Sequence, residues 1–292
     1  PYHAYKIAYS AQYVDDNLEQ FTIYNDDQPV YNNPCTQHYN IMLNKETLYK
    51  TYLTHHFIPA GAAEKHHVRI DGAIEPLTTL PNSKNARHLL RHSLKSANVY
   101  MIGIASHAFA DTWAHQNFTG TFNTYNSRFP ELQIPVIGHV DFLHRPDEIG
   151  KKWVDTRNLK PLANNLERFC EATKLLLIGY LSYLNPKIEH KHKLVKKFVE
   201  EIKKIMSKKT KHERLKCYNS LAVRIAGNEL LPYHRHDWRR RAIKLENSRY
   251  VWKRNYISSD WFLFQESVKI YQNYAWKFLK TRLKQIVYIL DD

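Results

Sequence analysis

The amino-acid sequence predicts an all-α fold, a helical bundle with long loops. Gly is scarce, with 8 residues among 292, whereas Tyr, Phe and Trp number 20, 12 and 6. This composition suits helices packed through large side chains better than a turn-rich β protein. Apolar residues also recur at helical spacing in several long stretches. With 43% hydrophobic and 24% charged residues, the chain has the composition of a folded globular protein.

The first predicted helix covers residues 3–15 and ends at the acidic pair Asp15-Asp16. Its apolar side chains fall at helical spacing. Two later segments, 21–34 and 54–82, contain prolines and show no clear apolar period. We interpret both of these segments as loops over a helical frame.

The longest apolar-periodic stretch runs from Asn85 to about His115, and Gly103 could bend or break this helix. Residues 117–147 are again irregular, with several Gly and Pro. Helical patterns then resume over 159–184, 188–206, 211–227 and 260–289.

The aromatic-rich segment 250–289 has two interpretations. Its alternating aromatic and basic residues could contact bases or lipid. Helical spacing favours a core position instead for six of its residues: Trp261, Phe264, Val268, Tyr271, Ala275 and Phe278.

The chain is strongly basic, with 43 Lys and Arg against 28 Asp and Glu and a formal charge of +15. Such a surface attracts the phosphates of nucleic acid, lipid headgroups or small substrates. Much of the excess lies in 187–216, where apolar residues fall at helical spacing among lysines. This segment is either a solvated helix face or a contact for nucleic acid or an anionic membrane surface.

The cysteines exclude some classes of site. Cys35, Cys170 and Cys217 are far apart and form no Cys-x-x-Cys pattern, so neither a disulfide framework nor a Cys-rich zinc site is expected. No stretch approaches the ~20 apolar residues of a membrane span, and the start resembles no signal peptide. We expect a soluble protein, cytoplasmic or secreted. Because the chain opens on Pro1 rather than Met, an N-terminal piece of the natural protein is expected to be missing.

The segment 106–120, SHAFADTWAHQNFTG, carries the strongest pattern. His107, Asp111 and His115 lie at i, i+4 and i+8, which places them along one face of a helix. Imidazole and carboxylate are the ligands that a zinc-type ion accepts when thiolates are absent. The surrounding residues are apolar, so an unpaired Asp111 would be costly to bury and a metal ion would offset that cost.

More His and acidic residues flank this helix than one metal ion can use. The candidate ligands are Asp15, Asp16, His55, His56, His139, Asp141, His144 and Glu148, the last four within GHVDFLHRPDE at 138–148, a run that also contains Asp147. Two alternatives to metal binding remain open. The first is a buried hydrogen-bonded network. The second is chance, because the chain has 17 histidines.

Four strings resemble known proteins: YSAQYVDDN (9–17), HHFIPA (55–60), HAFADTWAHQNFTG (107–120) and IGHVDFLHRPDE (137–148). They are similar to an uncharacterised, mostly bacterial family, domain of unknown function 6765. The third string also resembles the metal-binding segment of zinc-dependent phospholipase C and of single-strand-specific zinc nucleases. The resemblance covers about the first half of the chain.

The resemblance implies a di- or trinuclear site for Zn²⁺ or another divalent metal. His107 and Asp111 match the motif directly, and His115 matches after a two-residue deletion. Either Asp15 or Asp16 would match the carboxylate that bridges two metal ions, and either could orient or deprotonate a water. The matching histidine after it is His55 or His56.

The last ligands of the family motif would be matched either by His139 or by His144 together with Glu148. In the phospholipases and nucleases the N-terminal Trp also ligates metal, and Pro1-Tyr2-His3 does not match it. From this mismatch with the family we expect either that one metal ion of the trinuclear set is missing or that its ligands lie upstream of Pro1.

The resemblance further implies a metal-dependent phosphoester hydrolase. Its substrate would be a phospholipid or a nucleic acid, and the sequence does not choose between them. The alternative is a metal-stabilised binding or scaffold protein without catalytic activity. We expect residues 1–185 to form the metal-binding helical domain and 186–292 a basic, aromatic-rich helical region packed on it. Candidate contacts to substrate phosphate, or else surface side chains, are His66, His67, Arg69 and Arg145.

Overall fold

The computed structural model describes residues 2–38, 44–61, 69–227 and 231–291. Most of these residues lie in helices. The helices are α1 (Tyr2–Asp16), α2 (Lys45–His55), α3 (Lys84–Lys95), α4 (Val99–Ala114), α5 (Asn165–Leu184), α6 (Lys191–Met206), α7 (Lys211–Ala226), α8 (Asp237–Ala242), α9 (Asp260–Arg282) and α10 (Lys284–Asp291). The strands are β1 (Thr22–Asn25), β2 (Gln28–Asn32), β3 (Phe122–Asn123), β4 (Val136–Ile137), β5 (Lys152–Val154), β6 (Leu162–Asn164), β7 (Ile243–Glu246) and β8 (Arg249–Trp252).

The all-α prediction is wrong, because the fold is mixed α/β. A four-stranded sheet has the order β2-β1-β8-β7, and two small two-stranded sheets pair β3 with β4 and β5 with β6. In the large sheet β1 and β8 run parallel, with Ile23 opposite Tyr250, whereas the other neighbours are antiparallel. The sheet therefore joins a hairpin near the start of the chain to one near its end.

Both hairpins turn through two residues that have positive φ. These residues are Asp26 and Asp27 in the first turn, with φ 44° and 65°, and Asn247 and Ser248 in the second, with φ 47° and 62°. Two-residue turns of this handedness match the twist of antiparallel strands. The interpretation of 21–34 as a loop is thus corrected to a hairpin, which short strands and a turn without Gly concealed.

The long apolar stretch forms two helices, α3 and α4, and not one. The break comes before α4, where the Asn98 side chain accepts hydrogen bonds from the amides of Tyr100 and Met101 and so caps the new helix. Gly103 does not break α4. It lies where α1 crosses α4, and a Cβ there would stand 2.5 Å from both the Ile7 carbonyl oxygen and the Ser10 Cβ. The absent side chain lets the two helices approach closely.

The hydrophobic core draws on both halves of the chain. Trp261, Phe264, Val268, Tyr271 and Ala275 of α9 are fully buried, and they share one core with residues of α1, α2 and α4. The predicted core face of this helix is confirmed for these five residues, while Phe278 is partly buried against the core. A separate small cluster holds α6 against α7 through Ile202, Ile205 and Leu221.

Within the described ranges, no helix is long and apolar enough to cross a membrane.

Candidate metal centre

The three candidate ligands of the central helix do meet in space. His107 Nε2 lies 3.1 Å from Asp111 Oδ2, and His115 Nδ1 lies 3.6 Å from the same oxygen. His107 and Asp111 are one turn apart on α4, so the helix itself brings them together. His115 is the residue that ends α4, with φ −93° and ψ 17°. Its ring therefore turns away from the helical stripe toward the loop that follows.

A first group of ligand atoms forms where the ends of α1 and α2 reach α4. Asp15, His56 and His107 each offer one atom, and these atoms all lie within 4.8 Å of one another. His107 Nε2 is 3.4 Å from Asp15 Oδ1 and 3.3 Å from His56 Nδ1. Asp111 Oδ2 is 3.0 Å from His56 Nδ1 and adds a fourth candidate ligand atom. We call these four residues the first site.

A second group lies on the other side of Asp111. His115, His139 and Asp147 also offer ligand atoms within 4.8 Å of one another. His115 Nε2 is 3.1 Å from Asp147 Oδ1, and His139 Nε2 is 3.4 Å from Asp147 Oδ2. We call these three residues the second site. Because Asp111 contacts the rings of both His56 and His115, the two sites adjoin.

Backbone acceptors fix the orientation of the histidine rings. His56 Nε2 donates to the Thr36 carbonyl at 2.9 Å, and His115 Nδ1 donates to the His56 carbonyl at 2.9 Å. His139 Nδ1 donates to the Leu143 carbonyl at 2.8 Å. In each ring the opposite nitrogen then faces its site, where it carries a lone pair whenever the ring is neutral. Metal-bound histidines usually donate the other ring N–H to a carbonyl or carboxylate in this way, which fixes the tautomer and the orientation of the ring.

The contact between His56 and His107 bears on whether these residues fit a metal ion, because two ring nitrogens face each other there. The His107 ring has a backbone hydrogen bond with Ala11, so its Nε2 and the His56 Nδ1 face each other across 3.3 Å. Two neutral rings would place two lone pairs against each other there. A cation between them, either a proton or a metal ion, removes that repulsion. The donor set of imidazole and carboxylate is the one that zinc-type ions accept.

The two sites are electrostatically prepared for positive charge. Burial lowers the pKa of His107, but the carboxylates of Asp111 and Asp15 outweigh it and raise the pKa to about 9. Burial likewise lowers the pKa of His115, and Asp111 with Asp147 raises it to about 9. Although burial raises the pKa of Asp111, the His107 and His115 rings hold it well below its ordinary value. Asp111 is therefore an anion among nearly buried groups.

Both sites open into one cavity of about 870 Å³. Asp15, His56, Asp111, His115, His139 and Asp147 all line it. The remaining wall is mainly apolar, and it comes from the loop that contains His139, from α5 and from the end of α6. A molecule of moderate size can therefore reach the ligand atoms.

Several candidate residues lie outside the two sites. The buried ring of His55 faces the core, where Nδ1 lies 3.0 Å from the Thr51 carbonyl and burial lowers the pKa of His55 to about 3. Asp16 accepts a hydrogen bond from the Tyr233 hydroxyl at 2.6 Å. Asp141 accepts hydrogen bonds from Ser127 and from the Arg128 amide.

Of the pair suggested by spacing, His144 lines the cavity but belongs to neither ligand group, and Glu148 forms an exposed ion pair with Lys151. Arg69 is buried and bonded to Asp71 and to the Tyr125 carbonyl. Arg145 offers its carbonyl oxygen to Asn165. His66 and His67 fall outside the described residues.

Asp147 lies in the His-rich run 138–148 that the sequence analysis singled out, but it was not selected among the candidate ligands. Helical spacing could not identify it, because the run folds as a loop with a short 3-10 helix at Val140–Phe142. Its carboxylate meets His115 only because the loop turns back toward the end of α4. A His and an Asp eight residues apart in a loop carry no geometric information by themselves.

One known family matches the chain over residues 1–279, and it is described as a family of unknown function (DUF6765). No curated protein and no solved structure matches the chain.

Proposed function

We propose that this chain, which belongs to the family of unknown function DUF6765, binds two adjacent zinc-type metal ions and hydrolyses a phosphoester. The observation that carries the proposal is the pair of adjoining ligand groups, in which the histidine nitrogens that are not bonded to the backbone face the site. The first site offers four protein ligands to a metal ion, and the second site offers three.

The difference in donor number supports catalysis over a purely structural role. Structural zinc sites are closed by four protein ligands, whereas catalytic sites keep one position for water. The second site has three protein donors, His115, His139 and Asp147, and it lies on the open cavity. A metal ion held there would lower the pKa of a bound water enough to make hydroxide near neutral pH.

The protein's own groups would hold and orient the reactants. Asp15 is half exposed on the cavity side of the first site, so its carboxylate is placed to orient a water or accept its proton. Asp16 was the other candidate for this role. Its carboxylate accepts a hydrogen bond from the Tyr233 hydroxyl, and Asp16 belongs to neither site. We therefore assign the role of orienting or deprotonating the water to Asp15.

The choice of a phosphoester rests on charge. The formal charge of +15 favours an anionic substrate, and a cationic site stabilises the charge that develops on phosphoryl oxygens. Phospholipid and nucleic acid both satisfy this argument. Turnover on each of them distinguishes the two substrate classes.

A metal-stabilised scaffold is the second candidate, and the origin of the ligands favours it. The two sites take side chains from α1, α2, α4 and the 139–147 loop. A metal ion would tie these separate elements together, and its binding free energy would add to folding stability. Such a protein would bind metal and catalyse nothing.

The test combines metal content with turnover. We expect about two zinc ions per chain by elemental analysis, and slow, chelator-sensitive hydrolysis of bis-p-nitrophenyl phosphate. His107→Ala and His139→Ala should each lose metal and activity, whereas His88→Ala, a histidine of α3 stacked on Phe278, should keep both. Metal-loaded protein with no turnover above His107→Ala on the diester, phospholipid or single-stranded nucleic acid would leave the scaffold function. Absence of bound metal would reject both candidates.

A further inference from the structure

The mouth of the metal cavity is bordered by aliphatic side chains that face solvent. Val140, Leu143 and Ile149 line the cavity, yet they are 58%, 68% and 40% exposed. We call these three residues the apolar lip. Single exposed aliphatic residues are ordinary on a protein surface, but several at one opening mark a contact surface.

Leu143 is unusual both in its backbone conformation and in its exposure to solvent. Its φ of 54° and ψ of −136° belong to a backbone region that glycine favours and that Leu rarely adopts. It is also the most exposed residue of the apolar lip. A strained backbone has a role here, because it directs the Leu143 carbonyl to His139 Nδ1. Glycine would supply that carbonyl equally well, so the exposed isobutyl group itself requires an explanation.

The lysine-rich end of α6 reaches the same cavity. Met206, the last residue of α6, lines the same cavity, and a Cβ on Gly150 would lie 3.8 Å from its carbonyl oxygen. Lys203, Lys208 and Lys209 surround Met206 in sequence and are exposed. Residues 187–216 carry 12 Lys and Arg against four Glu, so this end of the molecule is strongly positive.

We propose that the apolar lip and the adjacent lysines dock the cavity mouth onto an anionic lipid bilayer. Lysines are attracted to acidic headgroups, and exposed aliphatic side chains can enter the boundary with the acyl chains. Nucleic acid would use the lysines but has no need of exposed aliphatic residues at the opening. The docking does not depend on bound metal, so it stands apart from the proposed hydrolase function.

The experiment measures co-sedimentation of the full chain with vesicles of phosphatidylcholine alone or with 30% phosphatidylglycerol, a composition chosen for the test. Binding should require the anionic lipid and weaken with salt. Changing Lys203, Lys208 and Lys209 together to Gln should weaken binding roughly 100-fold, from about fivefold for each lysine near the surface. The matched control changes the exposed Lys45, Lys244 and Lys277 to Gln, which removes the same net charge and should have a much smaller effect.

A second variant tests the apolar contribution. Val140→Ser, Leu143→Gly and Ile149→Ser together should weaken binding at least roughly tenfold, while Leu245→Ser, Ile257→Ser and Ile270→Ser, exposed residues elsewhere, should not. His107→Ala should bind vesicles as the unchanged protein does. The proposal is overturned if vesicles do not bind, or if the lip variant binds as tightly as its control. It is also overturned if the lip instead holds two copies of the chain together, or if single-stranded DNA binds and anionic vesicles do not.

Discussion

Neighbouring histidines of this chain serve different purposes, and sequence spacing does not distinguish them. His55 and His56 are adjacent and both are buried. α2 ends at His55, so His55 still points toward α9 and the core, while His56 turns toward Asp111. The family resemblance implied a ligand at His55 or His56 and left the choice open, and in the structure His56 is the one that contacts Asp111. Which one depends on the residue at which the helix ends, and the sequence locates that point only within a few residues.

The raised pKa values of His107 and His115 predict an unusual pH dependence for the metal-free protein. Both rings titrate at about 9 in the folded chain, against about 6.5 when unfolded. Their protonated forms therefore add stability that is fully present below pH 6.5 and is lost as the pH rises through 9. After treatment with chelator, Tm should fall between pH 6.5 and 9.

Zinc should remove that fall, because a metal ion takes the place of the protons and requires neutral rings. Differential scanning calorimetry at pH 6.5, 8 and 9, with and without zinc, makes the comparison. His88→Ala serves as the control, since it should leave both pH profiles unchanged. A metal-free Tm that stays constant or rises over this range would mean that His107 and His115 are neutral at pH 6.5.

At the scale of elements, the close crossing of α1 and α4 positions the first site. Asp15 is on α1, and His107 and Asp111 are on α4, so the distance between the helices sets the distance between the ligands. Gly103 permits that distance. The sequence indicated both helices, but it suggested a bend at Gly103 because the residues that pack against a glycine cannot be read from its neighbours in the chain.

Gly103→Ala is therefore expected to damage the site from a distance. Its Cβ would stand 2.5 Å from the backbone oxygen of Ile7, so α1 would have to move and take Asp15 with it. We expect a loss of about 1–3 kcal/mol in the free energy of unfolding and a weaker affinity for zinc. Denaturant unfolding and zinc titration measure the two effects.

Gly179→Ala is the matched control, because it also lies in a helix, α5. A Cβ there would meet the Leu90 Cδ2 at an ordinary 3.7 Å. It should be neutral or stabilise the protein by about 0.5–1 kcal/mol. Equal effects of the two substitutions would show that the crossing does not control the first site.

The strands show where periodicity fails as a guide. Each hairpin strand of the large sheet has only four or five residues, too few for alternation to stand out from a loop. Their turns use Asp-Asp and Asn-Ser where Asn-Gly would have been recognisable. The parallel pairing of β1 with β8 joins segments more than 200 residues apart, and tertiary packing alone brings them together.

At the scale of the whole molecule, the two halves of the chain complete one another's packing. Trp261 Nε1 donates to the Tyr13 hydroxyl at 3.1 Å, and the Tyr271 hydroxyl donates to the Thr54 carbonyl at 3.1 Å. α9 thus supplies buried side chains beside the elements that hold the metal ligands. The metal-ligand motif is concentrated in the first half of the sequence, but the structure that positions it is not.

We therefore expect the fragment 1–185 not to fold by itself. Without α9 the core loses fully buried residues such as Trp261 and Phe264, and β1 loses its partner β8. The fragment should lack a cooperative thermal transition and should bind zinc more weakly than the full chain. A sharp transition with full zinc affinity would show instead that residues 1–185 are an independent domain.

The central claim is that two metal ions lie side by side, one in each site. Anomalous diffraction from a crystal of the zinc-loaded protein, recorded on both sides of the zinc absorption edge, tests it directly. We predict two peaks, one among Asp15, His56, His107 and Asp111 and the other among His115, His139 and Asp147. A single peak, no peak at these residues, or an ordered His56–His107 pair without metal at saturating zinc would contradict the account.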